Sequence, residues 1–310
     1  MKAYIGVTDL KQYNHLKELN PDEVNFWQPG GKQSFRSLYT NCMFLFKLHS
    51  PNNYIVGGGF FVKHTFLPVS LAWEAFGVKN GTPDFFSFRK SIYKYRRSDY
   101  LTEPDPVIGC IIIAMPFFFE ESDWIPVPKD WKPNIVQGKS YDTDTSIGRN
   151  LIQQVEERLK METGNDSSFE KVSEDTKRYG ASQISYPRLG QGAFRVMVTD
   201  AYHRRCAISG EKTLPVLEAS HIKPFVQEGP NKTSNGLLLR RDIHTLFDRG
   251  YITVTDNYRI EVSKRIKQDY GNGRDYYAYH GEELKEIPDT IYERPSKEFL
   301  QWHNEKIYVP

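Results

Sequence analysis

The sequence predicts an α+β protein in two parts: a strand-rich N-terminal domain, then a C-terminal unit ordered strand, loop, strand, helix. Three observations carry this reading. Short runs of β-branched and aromatic residues, bounded by Gly, Pro and Asn, fill residues 1–135. A polar stretch without apolar periodicity, "TGNDSSFEKVSEDTKRYGASQ" at 163–183, separates the halves. A second pattern of strands and helices then runs without interruption to residue 310. The expected division is a first, strand-rich domain over 1–135, a helix and linker over 136–185, and a second domain over 186–310.

Composition narrows the class. A chain of 310 residues suits two domains of ordinary size. Its 41 Lys and Arg nearly balance 39 Asp and Glu, so affinity for nucleic acid must come from local basic patches and not from a global field. Cys42, Cys110 and Cys206 form no CxxC pair, which excludes a disulfide framework or a four-cysteine zinc site and fits a reducing cytosol. The N-terminus holds no apolar stretch of signal length. The most apolar run, "VIGCIIIAMPFFF" at 107–119, is too short to span a bilayer and contains Pro116. A soluble, cytoplasmic protein with no membrane partner is expected.

The elements can be taken in chain order. "CMFLFKLH", "YIVGGGFFVKHTFL" and "VIGCIIIAM" read as strands. Between them "PVSLAWEAFG" has helical apolar spacing, with Ser70 as cap and Gly77 as stop. "TPDFFSFRKSIYKYRR" opens on a cap-like Thr-Pro pair and ends in a basic cluster. Residues 145–162 read as a helix capped by Thr145 or Ser146, with Ile147, Leu151, Val155 and Leu159 at steps of four. In the second domain "PVLEASHI" reads as a strand, "KPFVQEGPNKTS" as a loop and "NGLLLRR" as the returning strand. "DIHTLFDRG" then reads as a short helix between Asp242 near the cap and Gly250.

Within "EASHIKPF", at 218–225, His221 suits either a core position or a base that activates water, and its partners further along the chain decide between them. His244 and Asp248 are four apart on one helix face, so they can hold one ion together. Asp248 also lies in the last helical turn, where the dipole disfavours a negative charge by a few tenths of a kcal/mol. A bound divalent cation would remove that conflict. Arg188, Arg195, Arg204, Arg205, Lys223, Arg240, Arg241 and Arg249 cluster along this segment. Such a cluster offers candidate phosphate contacts, Lys223 foremost. His15, His49, His64, His203, His280 and His303 lack comparable partners and carry no assigned role.

The segments "RLGQGAFR", "YHRRCAISG", "LEASHIKPF", "NGLLLRRDIHTLFDRG" and "RPSKEFLQWHNEKIY", in that order, resemble HNH endonucleases of the ββα-metal fold, of the predicted restriction endonuclease type. The resemblance spans roughly 186–308, and the steps of fourteen residues from His221 to Asn235 and nine from Asn235 to His244 match that family's His, Asn and His. It implies a divalent-metal-dependent endodeoxyribonuclease leaving 5′-phosphate and 3′-hydroxyl ends. The ion implied is Mg²⁺, with Mn²⁺, Ni²⁺ and Co²⁺ as alternatives. His221 would be the base, with Asn235 and His244 completing the catalytic trio, and the ion would rest on His244 and Asp248. The chain departs from the family where relatives often keep a ligand directly before the base: here Ser220 stands, so Ser220 itself, Glu218 or water would complete the ion's shell. Of the family's cysteine pairs only Cys206 remains, with Ser209, Arg240 and Ile243 at the other positions. No structural zinc is expected, and Cys206 is expected as a buried thiol.

"FWQPGGKQSFRSL" and "CMFLFKLHSPNNYIVGGGFFVKH" are similar to the PUA-like fold, including its EVE and ASCH branches. That resemblance implies a pocket for a flipped, modified base. Trp27, Phe35, Phe60, Trp73 and Trp124 are its candidate walls, and Gly57, Gly58 and Gly59 either allow close approach of a ligand or form a strand bulge. The expected function is modification-dependent restriction of foreign (phage) DNA carrying modified cytosine, with base-modified double-stranded DNA as partner. The alternative is a non-specific defence nuclease whose first domain senses a nucleotide signal or a partner protein. One HNH site cuts one strand, so a double-strand break requires a homodimer or two successive nicks.

Overall fold

The computed structural model describes residues 2–99, 101–163 and 189–310. They divide into two compact units, Met1–Gly190 and Gln191–Pro310. Among the described residues no helix is long and apolar enough to cross a membrane.

The first unit is built on a mixed seven-stranded sheet. Its strands are β1 (Lys2–Thr8), β2 (Glu23–Gln28), β3 (Met43–Leu48), β4 (Tyr54–Pro68), β5 (Val107–Phe118), β6 (Ile125–Pro126) and β7 (Gly138–Asp142). The order is β2-β5-β4-β3-β1-β7, with β6 paired to the start of β4. Among the described residues only the β1–β3 pairing is parallel. β3 and β5 are buried almost end to end, which is why they read as continuous apolar runs and not as alternating ones. Strand alternation splits β1 between two clusters. Ala3 and Ile5 join one, with Leu151, Ile152, Val155 and Leu159 of α4 (Ser146–Thr163). Tyr4 joins the other, with Tyr13 and Leu16 of α1 (Leu10–Leu19). Each apolar α4 side chain so covered contributes about 2 kcal/mol of burial before entropy is counted.

Several expectations change here. β7 pairs with β1 and α4 packs on the sheet, so residues 138–163 belong to the first unit, not to a connecting segment. The polar composition of "GKSYD" hid an edge strand. The rest of the expected linker, 164–185, lies outside the described residues. The N-cap residue of α2 (Val69–Phe76), Pro68, makes no cap bond; Asp105 serves instead, accepting from the Ser70 N–H and hydroxyl (2.9 and 2.6 Å), while Gly77 ends the helix as expected. α3 (Phe85–Arg96) is capped by Asp84, which accepts from Ser87 N–H at 2.8 Å, and not by the Thr-Pro pair. Thr145 caps α4, accepting from Gly148 N–H at 3.1 Å, and Ile147 is exposed rather than buried. Gly57, Gly58 and Gly59 sit inside β4 where the register shifts. A Cβ at each would come within 2.6 Å of β3 or β5 atoms, so the bulge reading explains them and no ligand is needed.

In the second unit α5 (Gln191–Ala201) leads to the hairpin of β8 (Leu217–His221) and β9 (Gly236–Arg240), then α6 (Arg241–Asp248). β8 and β9 pair antiparallel with His221 opposite Gly236. A second hairpin, β10 (Ile252–Val254) with β11 (Ile260–Val262), comes next, then α7 (Arg265–Tyr270), α8 (Arg274–Tyr277) and α9 (Lys297–Lys306). Phe194, Val198, Tyr202, Leu237, Leu239, Ile243, Phe247, Ile252 and Leu300 lie in one core cluster. Cys206 is a buried thiol whose Sγ accepts from the N–H groups of Ser209 and Arg240, each at 3.3 Å. Asp242 does not cap α6: it pairs with the Arg240 guanidinium at 2.6 and 2.8 Å.

Candidate active site

His221 closes β8, and its ring stacks on Phe194 of α5 at 3.9 Å between centroids, with 14° between planes. Its Nε2 lies 2.8 Å from Asn231 Oδ1. A carbonyl oxygen only accepts, so Nε2 carries the proton and, in the neutral ring, Nδ1 keeps the lone pair. Burial against Phe194 lowers the His221 pKa. The bond from Asn231 raises it, nearby His244 lowers it further and Asp248 raises it, with burial prevailing. The ring is thus held neutral near pH 7, with one nitrogen fixed and the other without a partner among the described residues.

The loop after His221 is held by Asn235. This residue is fully buried; its Oδ1 accepts from Lys223 N–H (2.9 Å), and its Nδ2 donates to the carbonyls of Lys223 (2.9 Å) and Pro230 (3.0 Å). Its amide is spent on main chain, so Asn235 staples the loop and has no catalytic contact. Gly229 completes the turn, since a Cβ there would sit 1.8 Å from Lys223 O.

On α6, His244 is gripped from both sides. Glu218 Oε2 accepts from Nδ1 at 2.8 Å, and Asp248 Oδ2 faces Nε2 at 3.2 Å. The other Glu218 oxygen accepts from Arg241 Nε at 2.7 Å. Burial works against the Glu218 charge, but the bonds from His244 and Arg241 outweigh it and hold its pKa below the usual range. Asp248 is displaced upward: burial raises its pKa, His244 lowers it, Glu218 raises it and His221 lowers it. With Nδ1 protonated toward Glu218, the Nε2 lone pair of a neutral ring points at a carboxylate oxygen. Such a pair repels unless a proton or a cation lies between.

The donor spacing fits a cation. Two donors at about 2.1 Å from one octahedral ion and at right angles lie about 3.0 Å apart. Here the separation is 3.2 Å. Among the described residues no group of three or more His, Cys, Asp or Glu gathers as a metal site, so this pair would leave the remaining positions to water and phosphate oxygens, as Mg²⁺ sites commonly do. Glu218 is not a ligand in this arrangement, since both its oxygens are engaged; it orients His244. Nor does Ser220 serve, being fully buried with its hydroxyl turned to the carbonyl of His221 at 3.4 Å.

The expected phosphate contacts divide as well. Arg240 is locked on Asp242, whose carboxylate also accepts from Tyr276. Arg204 pairs with Asp200 at 3.4 Å, and Arg195 is half-buried on α5. Arg205 and Arg249 are exposed, and Lys223 is half-buried with its ammonium 6.0 Å from the Trp302 ring centroid. Arg188 lies outside the described residues. Missed by the sequence reading were Asn231, hidden in an ordinary-looking turn, and Phe194, whose place in "RLGQGAFR" marked it only as part of a motif.

In the first unit the five expected pocket aromatics do not share one wall. Trp27 and Trp73 both meet Phe88 of α3, at 5.8 and 6.0 Å, and Trp27 Nε1 donates to Asn80 O at 3.0 Å. Phe35 packs on Tyr4 and Phe44, which join the cluster of Val24 and Phe26 on the opposite face of β2 from Trp27. Trp124 borders Tyr13 and Tyr54, and Phe60 is a buried core residue. Beside Trp27 on β2, fully buried Asn25 donates to Asn80 Oδ1 at 2.8 Å, and its own Oδ1 has no partner among the described residues.

The site thus stands on a strand pair whose first strand ends in histidine, followed by a helix bearing a second histidine. Residues 206–255 match the HNH_2 family, described as HNH endonuclease; the match covers β8, β9, α6 and β10. The chain thus carries an HNH endonuclease domain. No curated protein matches the chain. Among solved structures it is similar to a mutant of the ZmASCH protein from Zymomonas mobilis, at 7% identity and TM-score 0.32, covering 49% of this chain and 98% of that one. It is also similar to the modification dependent TagI restriction endonuclease, at 12% identity and TM-score 0.26, covering 93% and 76%.

Proposed function

We propose that this protein is a divalent-metal-dependent DNA endonuclease that acts on base-modified double-stranded DNA, in restriction of foreign DNA. The observation that carries the nuclease part is the meeting of His244 Nε2 and Asp248 Oδ2 at 3.2 Å beside a neutral, oriented His221, within the segment that matches the HNH family.

In this reading Asn231 keeps the proton on His221 Nε2, and Phe194 holds the ring plane. Nδ1 then takes a proton from water as that water attacks phosphorus. His244 and Asp248 would hold Mg²⁺ (or Mn²⁺, Ni²⁺ or Co²⁺), whose positive charge would stabilise the departing 3′ oxygen. Glu218 fixes the His244 ring with Nε2 toward Asp248, where the ion would be held. As the water oxygen bonds to phosphorus the bond from phosphorus to the 3′ oxygen breaks, and that oxygen takes a proton from solvent, giving 5′-phosphate and 3′-hydroxyl ends.

The reader part of the proposal rests on the first unit. Trp27 and Trp73 against Phe88 provide stacking surface, and the unpaired Asn25 carbonyl is an acceptor for a base edge. Cleavage of matched duplexes containing unmodified, 5-methyl, 5-hydroxymethyl or glucosylated cytosine tests it. Faster cleavage of one modified duplex is expected. Equal rates on all four would sink the reader and favour a first domain that senses a nucleotide signal or a partner protein.

A further inference from the structure

The basic run at the end of "TPDFFSFRKSIYKYRR" is not used by the site above, and the structure places it on α3. At about 100° per residue, Phe86, Lys90 and Lys94 fall within an arc of about 80°, and Arg97 follows them as the left-handed C-cap residue of the helix. Phe88 and Ile92 occupy the opposite, buried side. Phe86, Lys90, Lys94 and Arg97 are all exposed, Phe86 by 66%. Among the described residues none of the three cations meets an acid within salt-bridge distance. Arg96 shows the contrast, for its guanidinium holds Glu103 and the carbonyls of Pro29 and Val107 and so belongs to the fold.

A helix needs cations only in its last turn to complement its dipole. That accounts for Lys94, but not for Lys90 in mid-helix or for an exposed phenylalanine in line with it. From Phe85 to Arg96 the helix contains no acidic residue. A cationic stripe without acids, carrying an exposed ring, complements a polyanion that also offers apolar sugar and base surface. The flank of the same helix reaches the candidate reader wall: Tyr95, 49% exposed, lies 5.9 Å from Trp27.

We infer that the outer face of α3 is a DNA-backbone contact surface, on which Lys90, Lys94 and Arg97 bind phosphates while Phe86 packs on the sugars. The inference rests on the nuclease reading only for the identity of the polyanion.

The test uses the full chain with Lys90, Lys94 and Arg97 all changed to Ala, its fold checked by circular dichroism. Affinity for a short duplex is measured by fluorescence anisotropy across a NaCl series, without divalent metal so that nothing is cleaved. Losing three phosphate contacts should lower the slope of log K against log[salt] by about 2.7. Lys90→Glu alone should weaken binding further than Lys90→Ala. An unchanged slope and Kd would overturn the inference. So would DNA binding unaffected in a variant that loses affinity for vesicles of anionic phospholipid. Because no cleavage is read, failure of the nuclease reading appears separately, in the activity assays.

Discussion

His221 and His303 stack on phenylalanines with nearly the same geometry, 3.9 and 3.8 Å with 14° between planes, and their other contacts separate them. Both His303 nitrogens are taken inside the core, by Thr253 Oγ1 (2.8 Å) and Phe247 O (3.1 Å), whereas His221 keeps Nδ1 uncommitted among the described residues. The core-histidine reading considered for "EASHIKPF" is therefore realised at His303. The spacing of His221, Asn235 and His244 was legible because it is fixed along the chain. Asn231 was not, since only the folded turn brings its carbonyl to Nε2. Changing Asn231 to Leu should lower kcat by about tenfold or more with KM little changed, because general-base action contributes about 10²–10⁴. NMR should show the His221 Nε2 proton lost to fast exchange in that variant. An unchanged kcat would remove Asn231 from the site. Asn235→Ala should instead cost roughly 3 kcal/mol of stability by leaving buried main-chain groups unpaired, as read by denaturant unfolding.

At the scale of elements, β8 and α6 act through the Glu218–His244 bond. Glu218→Ala should weaken Mn²⁺ binding by about 10- to 100-fold, the usual effect of removing the partner that orients a ligand. Titration calorimetry checks this, and wild-type affinity in the variant would argue against the orienting role. α9 makes a pH prediction. Burial pushes the His303 pKa down to about 4, with the bond to Phe247 O only partly offsetting it. The unfolded chain takes up this proton near pH 6.5, so stability is fully present above that value and declines as pH falls toward 4. The second unit should lose up to about 3 kcal/mol over that window. His303→Leu, if folded, should lack that part of the slope. Helix caps were the less legible part of the elements: Asp105 serves α2 from 35 residues away in sequence, beyond any local pattern.

At the scale of the whole molecule, strand identity was readable and strand order was not. Continuous burial made β3 and β5 conspicuous, but the parallel β1–β3 pairing and the polar edge strand β7 depend on contacts between distant segments. For the same reason the aromatic pocket dispersed: alternation sends Trp27 and Phe26 to opposite faces of β2, and sequence alone did not say which face Phe35 would join. The HNH segment was clearer because its chemistry is packed into one hairpin and one helix. The central claim is that His221 activates water beside an ion held by His244 and Asp248. Nicking of modified plasmid by the wild type and by His221→Ala, with Mg²⁺ or with EDTA, tests it most directly. The account predicts cleavage only by the wild type with Mg²⁺, while the variant still binds the plasmid. Cleavage by a folded His221→Ala at the wild-type rate, or by the wild type in EDTA, would contradict it.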